Sequence, residues 1–128
     1  MQERNYIYEY AVIRLVPKVE REEFVNVGVA MLCNKENWLR MEYQLNESLI
    51  ELFCPQVDRE FVDKNLEAFK AIAHAENVAS PITKLDAAER FRWLTAVRSS
   101  IIQTSRPHVG LSKDLNKTFD RLYKELVD

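Results

Sequence analysis

Glycine, cysteine and proline are all scarce in this chain, and their scarcity argues against several classes of function. The 128 residues include two glycines, two cysteines and four prolines. The sequence has no Walker-type loop, no G-x-G-x-x-G turn and no G-x-S-x-G elbow. Cys33 and Cys54 lie in apolar surroundings without CxxC spacing, which favours a reduced cytosolic pair over a disulfide or ligand role. The sequence therefore contains none of the motifs that would predict nucleotide binding, ester hydrolysis or a structural zinc site.

Long apolar runs and an excess of one charge are lacking too. No run approaches the roughly 18 residues of a membrane span. The start, MQERNYIYEY, has no apolar core of the kind found in signal peptides. The net charge of −2 gives no overall field for nucleic acid or membrane. Because the length suits one domain with its own core, we expect a single cytoplasmic domain over residues 1–128.

The first third of the chain has strand character. Tyr6–Val16 is rich in aromatic and β-branched residues and ends at Pro17. In Phe24–Cys33 the apolar residues alternate, which predicts a strand with Val25, Val27, Val29 and Met31 on one face. A turn at NKEN separates this segment from a third predicted strand, Trp38–Tyr43. Together these segments predict an antiparallel meander.

The rest of the chain has mostly helical character. Apolar stripes and capping residues predict four helices: Glu47–Phe53, one capped by Asp58, one capped by Asp86 and ending near Val97, and one capped by Asp114 or Ser112. Ser99–Ser105 predicts a late strand, whereas Asn77–Lys84 and Arg106–Gly110 predict loops. The fold class is therefore α+β: a small antiparallel sheet of about four strands, with three to four helices laid on one face.

A first polar cluster surrounds Gly28, where a mid-strand glycine implies a bulge or a close neighbour. In an even register of the first hairpin Arg14 lies opposite Asn26, and the same register pairs Val12 with Gly28 and Tyr10 with Ala30, leaving room for tyrosine rings. The Arg14–Asn26 pair then either recognises an anion or a partner's backbone, or forms a cross-strand hydrogen bond. The adjoining turn adds Arg21 and Glu23, and a guanidinium there suits carboxylate or phosphate.

A second polar cluster follows the third helix, in a locally basic stretch from Lys84 to Arg106. If that helix extends to Arg98, this arginine lies on the apolar stripe and needs a carboxylate or a ligand anion. The polar residues that follow are Ser99, Gln103, Ser105 and His108, with Gly110 allowing a tight turn. These residues form either an anion site or an arginine–acid pair beside a solvated histidine.

Two blocks, YAVIRLVPKVEREEFVNVGVAMLC and RFRWLTAVRSSIIQTSRPHVG, together with the closing helix, carry a family resemblance. Over essentially its whole length the chain resembles the bacterial domain-of-unknown-function family 3037, with Val97 as a departure where the family favours proline. The resemblance implies a small cytoplasmic bacterial protein without established activity, encoded beside kinase-like proteins. The positions it singles out are Arg14, Arg21, Glu23, Asn26, Gly28, Arg98, Ser99, Gln103, Ser105, His108 and Gly110.

Three hypotheses for function follow. The first is a non-catalytic accessory module that binds another protein, with a kinase-like partner suggested by the resemblance. The second is a small enzyme or ligand binder that clamps a phosphorylated or carboxylated molecule through Arg14, Arg21 and Arg98, with His108 as acid or base. The third and weakest is phosphate-backbone binding through the basic stretch. We expect no cofactor and no metal, since Cys33, Cys54, His74 and His108 lie in four distant segments.

Overall fold

The computed structural model describes residues 5–17, 23–53, 55–76, 81–96 and 101–127. Its elements are, in chain order, β1 (Tyr6–Leu15), β2 (Val25–Cys33), β3 (Trp38–Tyr43), α1 (Glu47–Phe53), α2 (Arg59–Ala73), α3 (Ala87–Leu94), β4 (Ile102–Thr104), β5 (His108–Ser112) and α4 (Leu115–Leu126). A 3-10 turn, Pro81–Lys84, precedes α3. The strands form one antiparallel sheet, which confirms the α+β class and the N-terminal meander.

Two short strands share the sheet edge beside β1. The order is β3-β2-β1-β4, and β5 also pairs with β1. The first half of β1 pairs with β5 and its last three residues pair with β4. The late strand is thus confirmed over Ile102–Thr104. The loop predicted over Arg106–Gly110 holds for Arg106 and Pro107 but is wrong from His108 onward, where β5 begins. Pro107 and Gly110 suggested a loop, whereas pairing with β1, a distant segment, makes this stretch a strand.

A β-bulge interrupts the hairpin of β1 and β2 at the first polar cluster. Arg14 lies opposite Asn26, as predicted, but Ile13 lies opposite Gly28, so that Val27 is an extra residue on β2. The bulge shifts the remaining register by one and makes two predicted pairs wrong: Val12 with Gly28, and Tyr10 with Ala30.

The bulge also changes which side of the sheet β2 residues face. Val25 and Val27 belong to the apolar cluster that α2 and α3 cover, whereas Val29 and Met31 belong to the cluster under α4. The prediction that all four share one face is therefore wrong. Since α4 lies on one face and α1 to α3 on the other, the prediction that the helices cover one face is wrong as well. Without the bulge, simple alternation would have kept the four residues together.

Both glycines make room for a close neighbour. A Cβ atom on Gly28 would lie 2.7 Å from the carbonyl oxygen of Glu42 on β3. A Cβ atom on Gly110 would lie 2.5 Å from the hydroxyl oxygen of Tyr8, the residue opposite on β1. The tyrosine opposite Gly28 is Tyr43 on β3, whose Cβ would lie 3.1 Å from the added Cβ atom, whereas the tyrosine ring on β1 that needs a glycine is that of Tyr8, beside Gly110.

Aspartates begin three helices, as the sequence predicts. Asp58, Asp86 and Asp114 accept hydrogen bonds from backbone amides in the first turns of α2, α3 and α4. Ser112 supports the last of these, because its hydroxyl accepts from the Asp114 amide. Helix α3 ends at Leu94, earlier than the predicted end near Val97, and residue 97 lies outside the described part.

Candidate functional site

Three adjacent strands bring residues from both predicted polar clusters into one row. Arg14 on β1 lies opposite Asn26 on β2 and opposite Gln103 on β4. Residues directly opposite one another in a sheet point to the same face. For Arg14 this is the α4 face, because Ile13 and Leu15 on either side of it belong to the cluster on the other face. The clusters, far apart in sequence, therefore meet at Arg14.

The row contains a donor and an acceptor that have no partner in the described residues. The side-chain amide nitrogen of Asn26 donates to the backbone oxygen of Leu126 near the end of α4, at 3.1 Å. Its Oδ1 and the Nε of Arg14 are both buried and make no hydrogen bond. The predicted cross-strand hydrogen bond is therefore not formed. Leaving such groups unpaired costs about 1–3 kcal/mol each, which a bound polar group would recover.

An apolar groove adjoins the row. The Arg14 guanidinium carbon lies 4.1 Å from the centroid of the Phe24 ring, a cation–π contact. Phe24 and Asn26 also line a cavity of about 280 Å³ between β2, α1 and the end of α4, and the other lining residues are Val25, Leu49, Phe53, Leu126 and Val127. Phe24 and Phe53 are 48% and 54% exposed. The groove therefore places exposed aromatic rings beside unpaired polar atoms.

The remaining predicted site residues have different environments. Ser105 is buried and its hydroxyl accepts from the Val12 amide at 2.9 Å and donates to the Arg106 carbonyl, so it serves the backbone where β4 gives way to β5. The His108 ring is exposed and lies 5.2 Å from the Tyr10 ring. Glu23 is exposed beside Phe24. Three further predicted residues, Arg21, Arg98 and Ser99, lie outside the described residues.

The sequence interpretation missed one buried arginine. Arg90 is 8% exposed, and its guanidinium donates to the carbonyl oxygens of Ile72 and Ala73 at the end of α2 and to that of Leu85. Burial lowers the pKa of Arg90 from its ordinary value. The signal was present, because Arg90 occupies the i+3 position of the buried stripe that begins at Ala87.

The basic stretch loses much of its free charge in the folded protein. Arg90 is buried, and Arg92 forms a two-pronged contact with Glu9 on β1, at 3.0 and 2.7 Å. The hydrogen bond with Glu9 raises the pKa of Arg92. Two of the described arginines of this stretch, Arg90 and Arg92, are therefore already paired within the protein and are not free to contact phosphates.

A tyrosine lies between two carboxylates on the other side of the sheet. The Tyr43 hydroxyl lies 2.8 Å from an Asp63 oxygen and 2.5 Å from a Glu67 oxygen, both on α2. Partial burial and these hydrogen bonds raise the pKa of Tyr43 well above its ordinary value. The phenol is therefore held in its protonated form, which suits a link between β3 and α2 better than it suits a base.

Within residues 5–17, 23–53, 55–76, 81–96 and 101–127, no group of three or more His, Cys, Asp or Glu side chains is arranged to hold a metal ion. In the same ranges, no helix has both the length and the apolar character needed to cross a membrane. Because the Ser105 hydroxyl donates to the Arg106 carbonyl, it is not paired with His108 as a nucleophile with its base.

In a comparison with protein families, the chain matches the family described as protein of unknown function (DUF3037) over residues 10–127. The chain belongs to this family. The match confirms the resemblance stated from the two sequence blocks, and it includes every member of the Asn26–Arg14–Gln103 row. No curated protein and no solved structure matches the chain significantly.

Proposed function

We propose that this member of the family is a non-catalytic interaction module that binds an extended segment of another protein at the Asn26–Arg14–Gln103 row. One observation carries the proposal: among the described residues, the buried donor Arg14 Nε and the buried acceptor Asn26 Oδ1 have no hydrogen-bond partner, and they lie on directly opposed residues. A peptide unit offers the complementary pair, because its carbonyl accepts from a guanidinium and its amide donates to a side-chain oxygen.

The adjoining groove supplies the rest of a peptide site. A cavity of about 280 Å³ with exposed Phe24 and Phe53 suits one apolar side chain of the bound segment. Polar atoms that fix orientation beside an apolar pocket that supplies affinity form the usual design of a recognition site. The segment therefore has a peptide unit over Arg14 and an apolar residue next to it.

The choice of partner rests on the family resemblance. It implies a bacterial, cytoplasmic protein encoded beside kinase-like proteins, so a kinase-like protein is the first partner to test. Low cysteine content fits a reducing compartment. The scarcity of free basic charge on the described residues between Lys84 and Arg106 supports a protein partner over nucleic acid.

The test begins with the tagged protein in lysate of its own host at moderate salt, followed by titration of the identified partner by calorimetry. Arg14→Ala removes the donor and should weaken binding at least tenfold, or about 1.4 kcal/mol. Arg14→Lys keeps the charge but lacks the Nε–H group, so it should weaken binding as well.

Arg121→Ala is the matched control. Arg121 is an exposed arginine on α4 whose recorded ion pair joins it to Glu125 within the same helix, and its loss should leave binding unchanged. Circular dichroism establishes that all variants are folded. Full affinity in folded Arg14→Ala would exclude this site, and loss of affinity in Arg121→Ala to the same extent would show only a general charge effect.

A second candidate function is recognition of an anionic small molecule. Arg14 and His108 lie on the same face, since His108 packs on Tyr10 and Tyr10 and Arg14 alternate in phase along β1. Four residues along a strand separate their backbone positions by about 13 Å, a gap that the two side chains would have to bridge to hold one molecule. Amide shifts at Arg14 on addition of inorganic phosphate, without affinity for a protein, would favour this function over the first.

A further inference from the structure

Strand β5 presents an exposed apolar edge. Val109 and Leu111 are 71% and 68% exposed, and Ile7, opposite Leu111 on β1, is 66% exposed. These three side chains point to one face of the sheet, beyond the part covered by helices. Exposed apolar residues on an edge strand are uncommon, because such a strand readily pairs with another chain.

The hydrogen bonding of β1 shows which β5 backbone groups are free. The Val12 amide donates to Ser105, the Ser105 amide donates to the Val12 carbonyl at 2.8 Å, and the Val16 amide donates to the Ile101 carbonyl at 2.6 Å. Even-numbered residues of β1 therefore direct their peptide groups toward β4 and β5, because peptide groups alternate in direction along a strand.

The same alternation continues along β5. His108, Gly110 and Ser112 lie opposite even-numbered β1 residues and pair with them. The amides and carbonyls of Val109 and Leu111 consequently point away from β1, to the open side. In the described residues no hydrogen bond is recorded for these outward groups. Two donors and two acceptors thus remain on the most exposed apolar residues of the edge.

We propose that a second copy of this chain binds there, with two β5 strands antiparallel around a two-fold axis at Gly110. In this register Val109 of each copy lies opposite Leu111 of the other. These two pairs use all four outward groups of each strand, which gives four hydrogen bonds across the interface. On each side of the axis, Leu111 then lies between Ile7 of its own copy and Val109 of the second copy, so that the three apolar side chains are adjacent on one face.

The charge pattern favours a second copy in this register. Strand β5 carries no carboxylate, lysine or arginine, so antiparallel pairing of two copies places no like charges opposite each other within the strands. Arg106 precedes β5 and Asp114 follows it, and both are exposed, so the pairing brings the Arg106 end of each strand near the Asp114 end of the other. Apolar pairs in the middle and residues of opposite charge beyond the ends make the edge complementary to itself.

The interface is small, which sets the strength of association. A five-residue strand edge buries less than the roughly 1,200 Å² of a standard stable interface. The dimer is therefore concentration-dependent, and sedimentation velocity on the full chain from about 1 to about 500 µM should show a monomer that converts to a dimer.

Two charge variants with the same substituted positions test the register. Val109→Lys with Leu111→Lys places lysine opposite lysine twice and should abolish the dimer. Val109→Glu with Leu111→Lys places glutamate opposite lysine twice and should retain it. Both variants remove the same apolar surface, so a general loss of hydrophobic contact affects them equally.

Amide hydrogen exchange supplies an independent readout. Exchange at Val109 and Leu111 should slow as concentration rises, whereas exchange at His108 and Gly110, which pair with β1, should not change. A wild-type chain that stays monomeric throughout, or two double variants that behave alike, would overturn the proposal. Arg14→Ala should leave this dimer unchanged. The dimer proposal and the peptide-site proposal can therefore fail independently of each other.

Discussion

Arg90 shows how a charged residue can be buried with backbone carbonyls as its hydrogen-bond partners. Its guanidinium donates to three backbone carbonyls, two at the end of α2 and one just before α3. The last carbonyls of a helix have no partner within the helix, and the negative end of the helix dipole favours a cation there. Arg90 therefore fixes α3 to the end of α2 and gives the carbonyls there a charged donor.

Replacing Arg90 should destabilise the protein far more than replacing its neighbour Arg92. Arg90→Met removes the charged donor to the Ala73 carbonyl together with the contacts to the Ile72 and Leu85 carbonyls, and it should lower the free energy of unfolding by about 3 kcal/mol. Arg92→Met removes an exposed ion pair with Glu9 and should cost less than about 1 kcal/mol. Urea unfolding of both variants measures the difference, and equal losses would contradict the capping role.

Helix α2 and strand β3 are joined by polar contacts as well as by the core. Tyr43 on β3 donates toward Asp63 and Glu67, and Lys70 lies 3.0 Å from Glu42 on the same strand. Hydrogen bonding to Glu42 raises the pKa of Lys70. Both contacts hold a proton more tightly in the folded protein than in the unfolded chain, so they make the α2–β3 junction sensitive to high pH.

The junction should weaken above about pH 10, and Tyr43 should account for part of the loss. Because folding raises the pKa of Tyr43, its contribution is fully present below the ordinary tyrosine value and falls as pH rises beyond it. The stability difference between wild type and Tyr43→Phe should therefore be constant from pH 7 to about pH 9 and shrink above about pH 10. Urea unfolding at several pH values measures it, and a constant difference throughout would contradict the shift.

Local patterns predicted most elements, and the errors come from contacts between distant segments. Helix α1 and the three aspartate caps follow from residues close in sequence, so they were predictable. The bulge at Val27 depends on how β1 and β2 settle against each other, and β5 depends on pairing with β1. A local sequence pattern does not show which segment a strand will pair with. The prediction that Val25, Val27, Val29 and Met31 share one face was wrong because of the bulge.

The candidate site was predicted in part for the same reason. The pairing of Arg14 with Asn26 followed from the short hairpin, but the place of Gln103 beside Arg14 needed the late strand to pair with β1. Arg98 was expected to be the buried arginine because α3 was extended past its end at Leu94. The helix phase instead buries Arg90, which uses its charge within the fold rather than for a ligand.

The whole molecule consists of a sheet between two apolar clusters of unequal size. The larger cluster joins the sheet to α1, α2 and α3, and the smaller one joins it to α4 through Phe119. Cys33 belongs to the smaller cluster and is 0% exposed. Helix α4 adjoins β5 at the end of the described chain, so we expect it to open locally before the rest unfolds.

Reactivity of the Cys33 thiol should report this local opening. In a Cys54→Ser background without denaturant, Phe119→Ala leaves a cavity under α4 and should speed thiol labelling by about a hundredfold, as expected from a loss of about 3 kcal/mol. Phe91→Ala makes a similar cavity on the opposite face and should leave the labelling rate nearly unchanged, provided the protein stays folded. Equal acceleration in both variants would mean that the sheet and all four described helices open as one unit. In that case α4 could not move independently to let a bound segment reach Asn26, whose amide it holds through Leu126.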